Sequence, residues 1–125
     1  MVQTAGGRAI MSHLPDEEVE DILTRSIDMP RATIPTTPKT NNDPDRIRAL
    51  VIQARQDGYA TAIEESLLGE LNLATAILDH RHRPVAAIQI AGLVSEWASP
   101  EEFARRYSPL LMTAARALSG KVGMS

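Results

Sequence analysis

The chain has 125 residues, 43% of them hydrophobic and 23% charged, with a formal net charge of −3. That is the length and balance of one globular domain, and it leaves no room for a second core. The lack of cysteine excludes disulfides, thiolate nucleophiles and Cys-ligated metal centres, and the negative charge lacks the field with which nucleic-acid binders neutralise phosphates.

In chain order, Thr4-Ala5-Gly6-Gly7 precedes the helix formers Arg8-Ala9-Ile10-Met11. A short helix is predicted over residues 7–13, its glycine pair able to leave backbone N–H groups open. Pro15 suits a first helical position, Asp16, Glu17 and Glu18 complement the positive end of that helix's dipole, and Val19, Ile22 and Leu23 form one apolar stripe. Residues 29–43 carry Pro30, Pro35, Pro38 and Asn41-Asn42, which block helix, and read as an extended connector expected to be the most mobile segment. Asp43-Pro44 restarts a helix as N-cap and first residue, and Ile47, Leu50, Val51 and Ala54 recur at helical spacing until Gly58 stops it.

Residues 59–63 read as a short strand, followed by Glu64-Glu65-Ser66 and a turn near Gly69. Two further strands, over 71–78 and 85–91, are joined by the turn at 79–84 into a β-hairpin. The run 71–78 is also the longest apolar one, far below the roughly 20 residues of a membrane span. The N-terminus has no signal-like apolar stretch either, so a cytoplasmic location is expected. Ser99-Pro100-Glu101-Glu102 is a capping box opening a helix whose stripe is Phe103, Tyr107, Leu110, Leu111, Ala114 and Leu118, with Pro109 a point where it can kink. This order predicts an α+β domain with a mainly antiparallel sheet flanked by helices.

Alternation within the hairpin puts Asn72, Ala74, Ala76 and Leu78 on one face with Val85, Ala87, Gln89 and Ala91. Leu71, Leu73, Ile77, Ile88 and Ile90 take the other face, which is the candidate core. Two readings of the small-residue face stand side by side. It leaves room for a small guest, with Asn72 and Gln89 diagonal to one another and offering donors and acceptors; or the alanines let a helix pack closely and the amides bond each other.

Other constellations carry less chemistry. Glu64-Glu65 are neighbours that point apart on a strand and share no site unless the chain turns there. Asp79-His80-Arg81-His82 could chelate a metal, but a charged hairpin tip is an ordinary solvated turn. No serine, histidine and carboxylate form a hydrolase order, and acids interleave the arginines throughout. Neither an enzyme activity, a cofactor nor a metal is expected.

The assembled residues resemble the effector-binding domain of IclR-type transcriptional regulators. The resemblance runs from Thr4-Ala5-Gly6-Gly7-Arg8-Ala9-Ile10 and Leu14-Pro15-Asp16-Glu17-Glu18 through Gln56-Asp57-Gly58-Tyr59-Ala60, Glu64-Glu65, Gly69 and Ala74. It continues over Asp79-His80-Arg81-His82-Arg83-Pro84-Val85-Ala86-Ala87, and so covers nearly the whole chain. It implies a GAF- or profilin-like single domain over residues 1–125, without the first strands of the family domain. Such a domain binds a small-molecule effector, assembles into a homodimer or homotetramer, and meets DNA only through a separate N-terminal helix-turn-helix domain. Effector contacts are implied at Ala5, Gly6, Ala62, Asn72, Gln89 and Ala91, with Gly7 beside them at the helix start. Relatives that bind small acids often place Asp, Cys and serines where this chain has Ala62, Asn72, Gln89 and Ala91; a carboxylate or aromatic acid is one candidate effector.

Overall fold

The computed structural model describes residues 2–28 and 37–122. Among these described residues, four helices and three strands follow in the order α1 (Ala5–Met11), α2 (Asp16–Asp28), α3 (Pro44–Asp57), β1 (Ala60–Ile63), β2 (Glu70–Leu78), β3 (Pro84–Leu93) and α4 (Pro100–Val122), with a 3-10 turn at Val94–Glu96 between β3 and α4. The strands form one antiparallel sheet in the order β1-β2-β3. This is the α+β architecture expected from the periodicity. Of the connector predicted over residues 29–43, residues 29–36 lie outside the described part of the chain.

Local chemistry explains where the helices begin and end. Thr4 caps α1 by accepting the Gly7 N–H at 3.0 Å, which moves its start two residues ahead of the predicted one. The Asp43 carboxylate accepts the Asp45 N–H at the start of α3, Pro44 follows, and Gly58 ends the helix at φ 85°. That positive φ is the left-handed conformation glycine adopts without strain. Ser99 Oγ accepts the Glu102 N–H at 3.2 Å to open α4, which runs on through Pro109.

The hairpin register is the one the alternation predicts over most of its length: Asn72 faces Ala91, Ala74 faces Gln89 and Ala76 faces Ala87. An irregularity at Ile77 and Leu78 then pairs Leu78 with Pro84, so the last expected pairing, with Val85, is not made. At the tip, Asp79 Oδ1 accepts the N–H groups of Arg81 and Arg83, and His82 takes φ 61°. The tip side chains from His80 to Arg83 are exposed.

Each sheet face is covered differently. Leu71 and Leu73 pack with Phe103, Ala104 and Leu111 of α4, and Ile88 and Ile90 lie against them. Trp97, Phe103 and Tyr107 meet edge-on or tilted at centroid distances of 5.3–5.5 Å. The buried strip of α4 is thus Phe103, Ala104, Leu111 and Ala115, while Leu110 (63% exposed) and Leu118 (39%) face outward. The sequence stripe contained both sets, and docking on the sheet buries only the narrow strip that meets it. On the opposite face α1 lies across all three strands. There Ala5, Ala9, Ala54, Ala60, Ala62 and Ala74 form a tight all-alanine layer. A third cluster, of Val2, Met11, Val19, Leu23, Ile47 and Val51, joins α2 and α3 behind α1. No helix among the described residues is long and apolar enough to cross a membrane.

Candidate effector site

Antiparallel pairing sets Ala62 opposite Asn72 and Asn72 opposite Ala91, so three of the residues singled out from sequence form one row across the sheet. Gln89 sits one step along, opposite Ala74. Helix α1 crosses above: a Cβ placed on Gly6 would lie 3.7 Å from Ala87 Cβ and 3.7 Å from Gln89 Oε1. The fold therefore gathers Gly6, Ala62, Asn72, Gln89 and Ala91 into one region, with Ala5 and Gly7 on the same short helix.

Their exposures differ. Ala5 and Gly7 of α1 and Ala62 of β1 are buried, whereas Gln89 and Ala91 are exposed at the β3 edge and Gly6 is half-buried. At the alanine end, close helix packing uses up the space the small residues leave. At the Gln89 end the face is open to solvent.

Between the two ends lies an amide relay. Gln89 Nε2 donates to Asn72 Oδ1 at 3.2 Å, and Asn72 Nδ2 donates to Glu70 Oε1 at 2.8 Å. Asn72 itself is only 7% exposed. Of the two readings of the amides, the one in which they bond each other is met here, and Gln89 Oε1 also lies beside Gly6 at the start of α1.

What positions α1 was not read from sequence. Arg8 is fully buried, and Glu65 is 4% exposed. The Arg8 guanidinium donates twice to Glu65, Nη1 to Oε2 and Nη2 to Oε1, both at 2.6 Å, while its Nε donates to Val2 O at 2.9 Å and Nη1 also reaches Thr61 O. Glu65 Oε1 also accepts the Asn41 N–H, and Thr40 Oγ1 donates to Glu65 O. Burial pushes the Glu65 carboxyl up, but Arg8 and the Asn41 N–H outweigh it and hold it below the ordinary carboxylate range. A buried bidentate pair thus ties α1 to the end of β1 and to residues 40–41. The available signal was the helix period: Arg8, three residues after Ala5, shares its inward face and needs a partner there.

Glu64 takes φ 55°, so the chain turns at the Glu pair and the two carboxylates separate. Glu64 is held by Lys39 and the Gly69 N–H, which lower its pKa, and shares no site with Glu65. The pair is structural in geometry, two ends of one clasp on residues 37–41. An open groove of about 540 Å³ lies elsewhere, between β1 and α4, lined by Tyr59, Thr61, Ile63, Ala104, Arg105 and Pro109 among others; none of the site residues named from sequence lines it.

Residues 1–120 match the family described as "Bacterial transcriptional regulator IclR C-terminal". The transcriptional repressor IclR of Escherichia coli is 32% identical over 95 residues, 76% of this chain but 33% of its own length. The crystal structure of Thermotoga maritima IclR superposes with a TM-score of 0.82 at 30% identity, over 97% of this chain and 46% of that one. The inducer-binding domain of PobR from Acinetobacter, solved as a double mutant with 3-hydroxybenzoic acid, shares the fold at a TM-score of 0.76 and 22% identity, over 94% of this chain and 65% of that one. The chain thus spans about a third of the length of the curated relative.

Proposed function

The chain belongs to the IclR family of bacterial transcriptional regulators, as part of their C-terminal domain, and from that footing we propose that it is a small-molecule-sensing module. A small effector sits where α1 crosses the sheet, against Gly6, Asn72, Gln89 and Ala91, with Ala5, Gly7 and Ala62 forming the packed floor beside it. The observation that carries this reading is the gathering of these residues around one amide relay. That the PobR domain of the same fold holds 3-hydroxybenzoic acid supports a sensing role for the fold.

An effector that prefers one placement of α1 shifts the balance between placements by its difference in affinity for them. Helix α1 is clasped through Arg8 and Glu65 to residues 40–41, and packs with α2 and α3 through Met11. A change at the site thereby reaches the helical side of the domain, subunit geometry, and operator affinity in a separate helix-turn-helix domain. The test is a thermal-shift panel of small acids, aromatic acids, polyols and amines on the native chain and on an Asn72→Leu, Gln89→Leu variant. Stabilisation of the native chain that the variant loses supports the site; stabilisation that survives both substitutions refutes it.

A second reading, an assembly module without a ligand of its own, is favoured by the outward Leu110 and Leu118 of α4. Sedimentation over a concentration series decides it: a homodimer or homotetramer that Leu110→Glu dissociates supports it, and a strict monomer refutes it.

A further inference from the structure

The polarity of the amide relay specifies which chemistry the site accepts. This inference rests on the sensing reading above and adds the class of effector. Glu70, Asn72 and Ala74 project from the same face of β2. A carboxylate only accepts hydrogen bonds, so Glu70 obliges Asn72 to turn its Nδ2 toward it. Asn72 Oδ1 then faces Gln89 and accepts a hydrogen bond from Gln89 Nε2. The last group in the relay, Gln89 Oε1, is left as an acceptor beside Gly6.

Charge works in the same direction. The helix and the three strands that build the site contain one basic residue, Arg8. It is sealed from solvent, and its guanidinium is committed to Glu65, Val2 O and Thr61 O. Two N–H groups at the start of α1 are also taken, that of Gly7 by Thr4 Oγ1 and that of Arg8 by Thr4 O. An incoming anion would find no free counter-charge on these elements, with the Glu70 carboxylate one amide away through Asn72, and its desolvation would go uncompensated.

We propose that this site selects an effector that donates hydrogen bonds and carries no negative charge, a hydroxyl- or ammonium-bearing molecule, in preference to a carboxylate or aromatic acid, and that Glu70 sets this preference. Replacing Glu70 by Gln removes the charge and lets the relay reverse: an amide can donate to Asn72 Oδ1, Asn72 Nδ2 then donates to Gln89 Oε1, and Gln89 turns its Nε2 toward Gly6 and a guest.

The experiment titrates the native chain and Glu70→Gln with erythritol, ethanolamine, pyruvate and benzoate, reading the amide resonances of Gly6, Asn72 and Gln89 by NMR. In the native chain, erythritol or ethanolamine is expected to move these resonances at concentrations at least tenfold below either acid. In Glu70→Gln the order should invert, the acids gaining at least tenfold. Acids that bind at these resonances as well as the donors do in the native chain, or a ranking that Glu70→Gln leaves unchanged, would overturn the proposal and leave the site standing. Shifts at none of the three residues with any probe would refute the site and this proposal together.

Discussion

Replacing Glu65 by Met is expected to destabilise the fold by about 3–5 kcal/mol, because it leaves a buried cation unpaired. Arg8 has no exposed surface, so its guanidinium cannot turn to water for a replacement partner without opening the fold. The reverse change, Arg8→Met, costs less, since Glu65 keeps the Asn41 N–H and can neutralise itself by binding a proton. The double variant removes both charges, so the two losses should not add; a coupling of about 2–3 kcal/mol is expected for groups in direct contact. Urea unfolding, followed by far-UV circular dichroism and Trp97 fluorescence, measures all four proteins. A whole domain is stable by only about 5–15 kcal/mol, so Glu65→Met can fall close to the unfolding threshold, and Arg8→Met is then the readable arm. Its pH dependence supplies an independent check. In the native chain the Glu65 carboxyl lies below its ordinary value, so its contribution is complete above about pH 4.3 and is lost as pH falls through the depressed native value. In Arg8→Met the lowering partner is gone and burial prevails, so the stability gap to the native chain narrows on acidification. A cost for Glu65→Met below about 1 kcal/mol, additive losses, or a gap that widens toward low pH would refute the reasoning.

Other substitutions probe separate parts of the structure. A Cβ on Gly92 would lie 2.6 Å from Phe103 Cε2, so Gly92→Ala should cost about 1–3 kcal/mol and weaken the near-ultraviolet dichroism of the Trp97-Phe103-Tyr107 cluster; unchanged dichroism would contradict the contact. Asp43→Ala removes the N-cap of α3 and should lower stability by about 1 kcal/mol, whereas Asp43→Asn should cost little, both read from urea midpoints. Gly6→Ala meets nothing nearer than 3.7 Å, so it should leave stability unchanged or raise it by up to about 1 kcal/mol while its methyl crowds Gln89 and weakens effector binding by calorimetry. Unimpaired binding would place the effector elsewhere.

Much of this fold is legible in the sequence because short-range rules act without competition. Asp43-Pro44 and Gly58 bracket α3 within a residue, and the alternation of 71–78 against 85–91 set the register that brings Asn72 diagonal to Gln89. The missed features depend on distant partners. Nothing local says that Arg8 will find Glu65 57 residues away, or that the Glu pair will turn at Glu64 and part. The amide relay was readable as a pair but not in its polarity, because that is imposed by Glu70, which a pattern search for small and amide residues passes over. The stripe of α4 was ambiguous for a similar reason: spacing allows Leu110 or Leu111, and only docking on the sheet buries Leu111.

The most direct test of the sensing role is a crystal structure of this chain with the compound that stabilises it most in the thermal-shift panel. The account predicts that compound between α1 and β3, in contact with Gly6, Asn72 and Gln89. Density for it in the groove between β1 and α4, against Tyr59, Thr61 and Arg105, with the amide relay untouched, would contradict it.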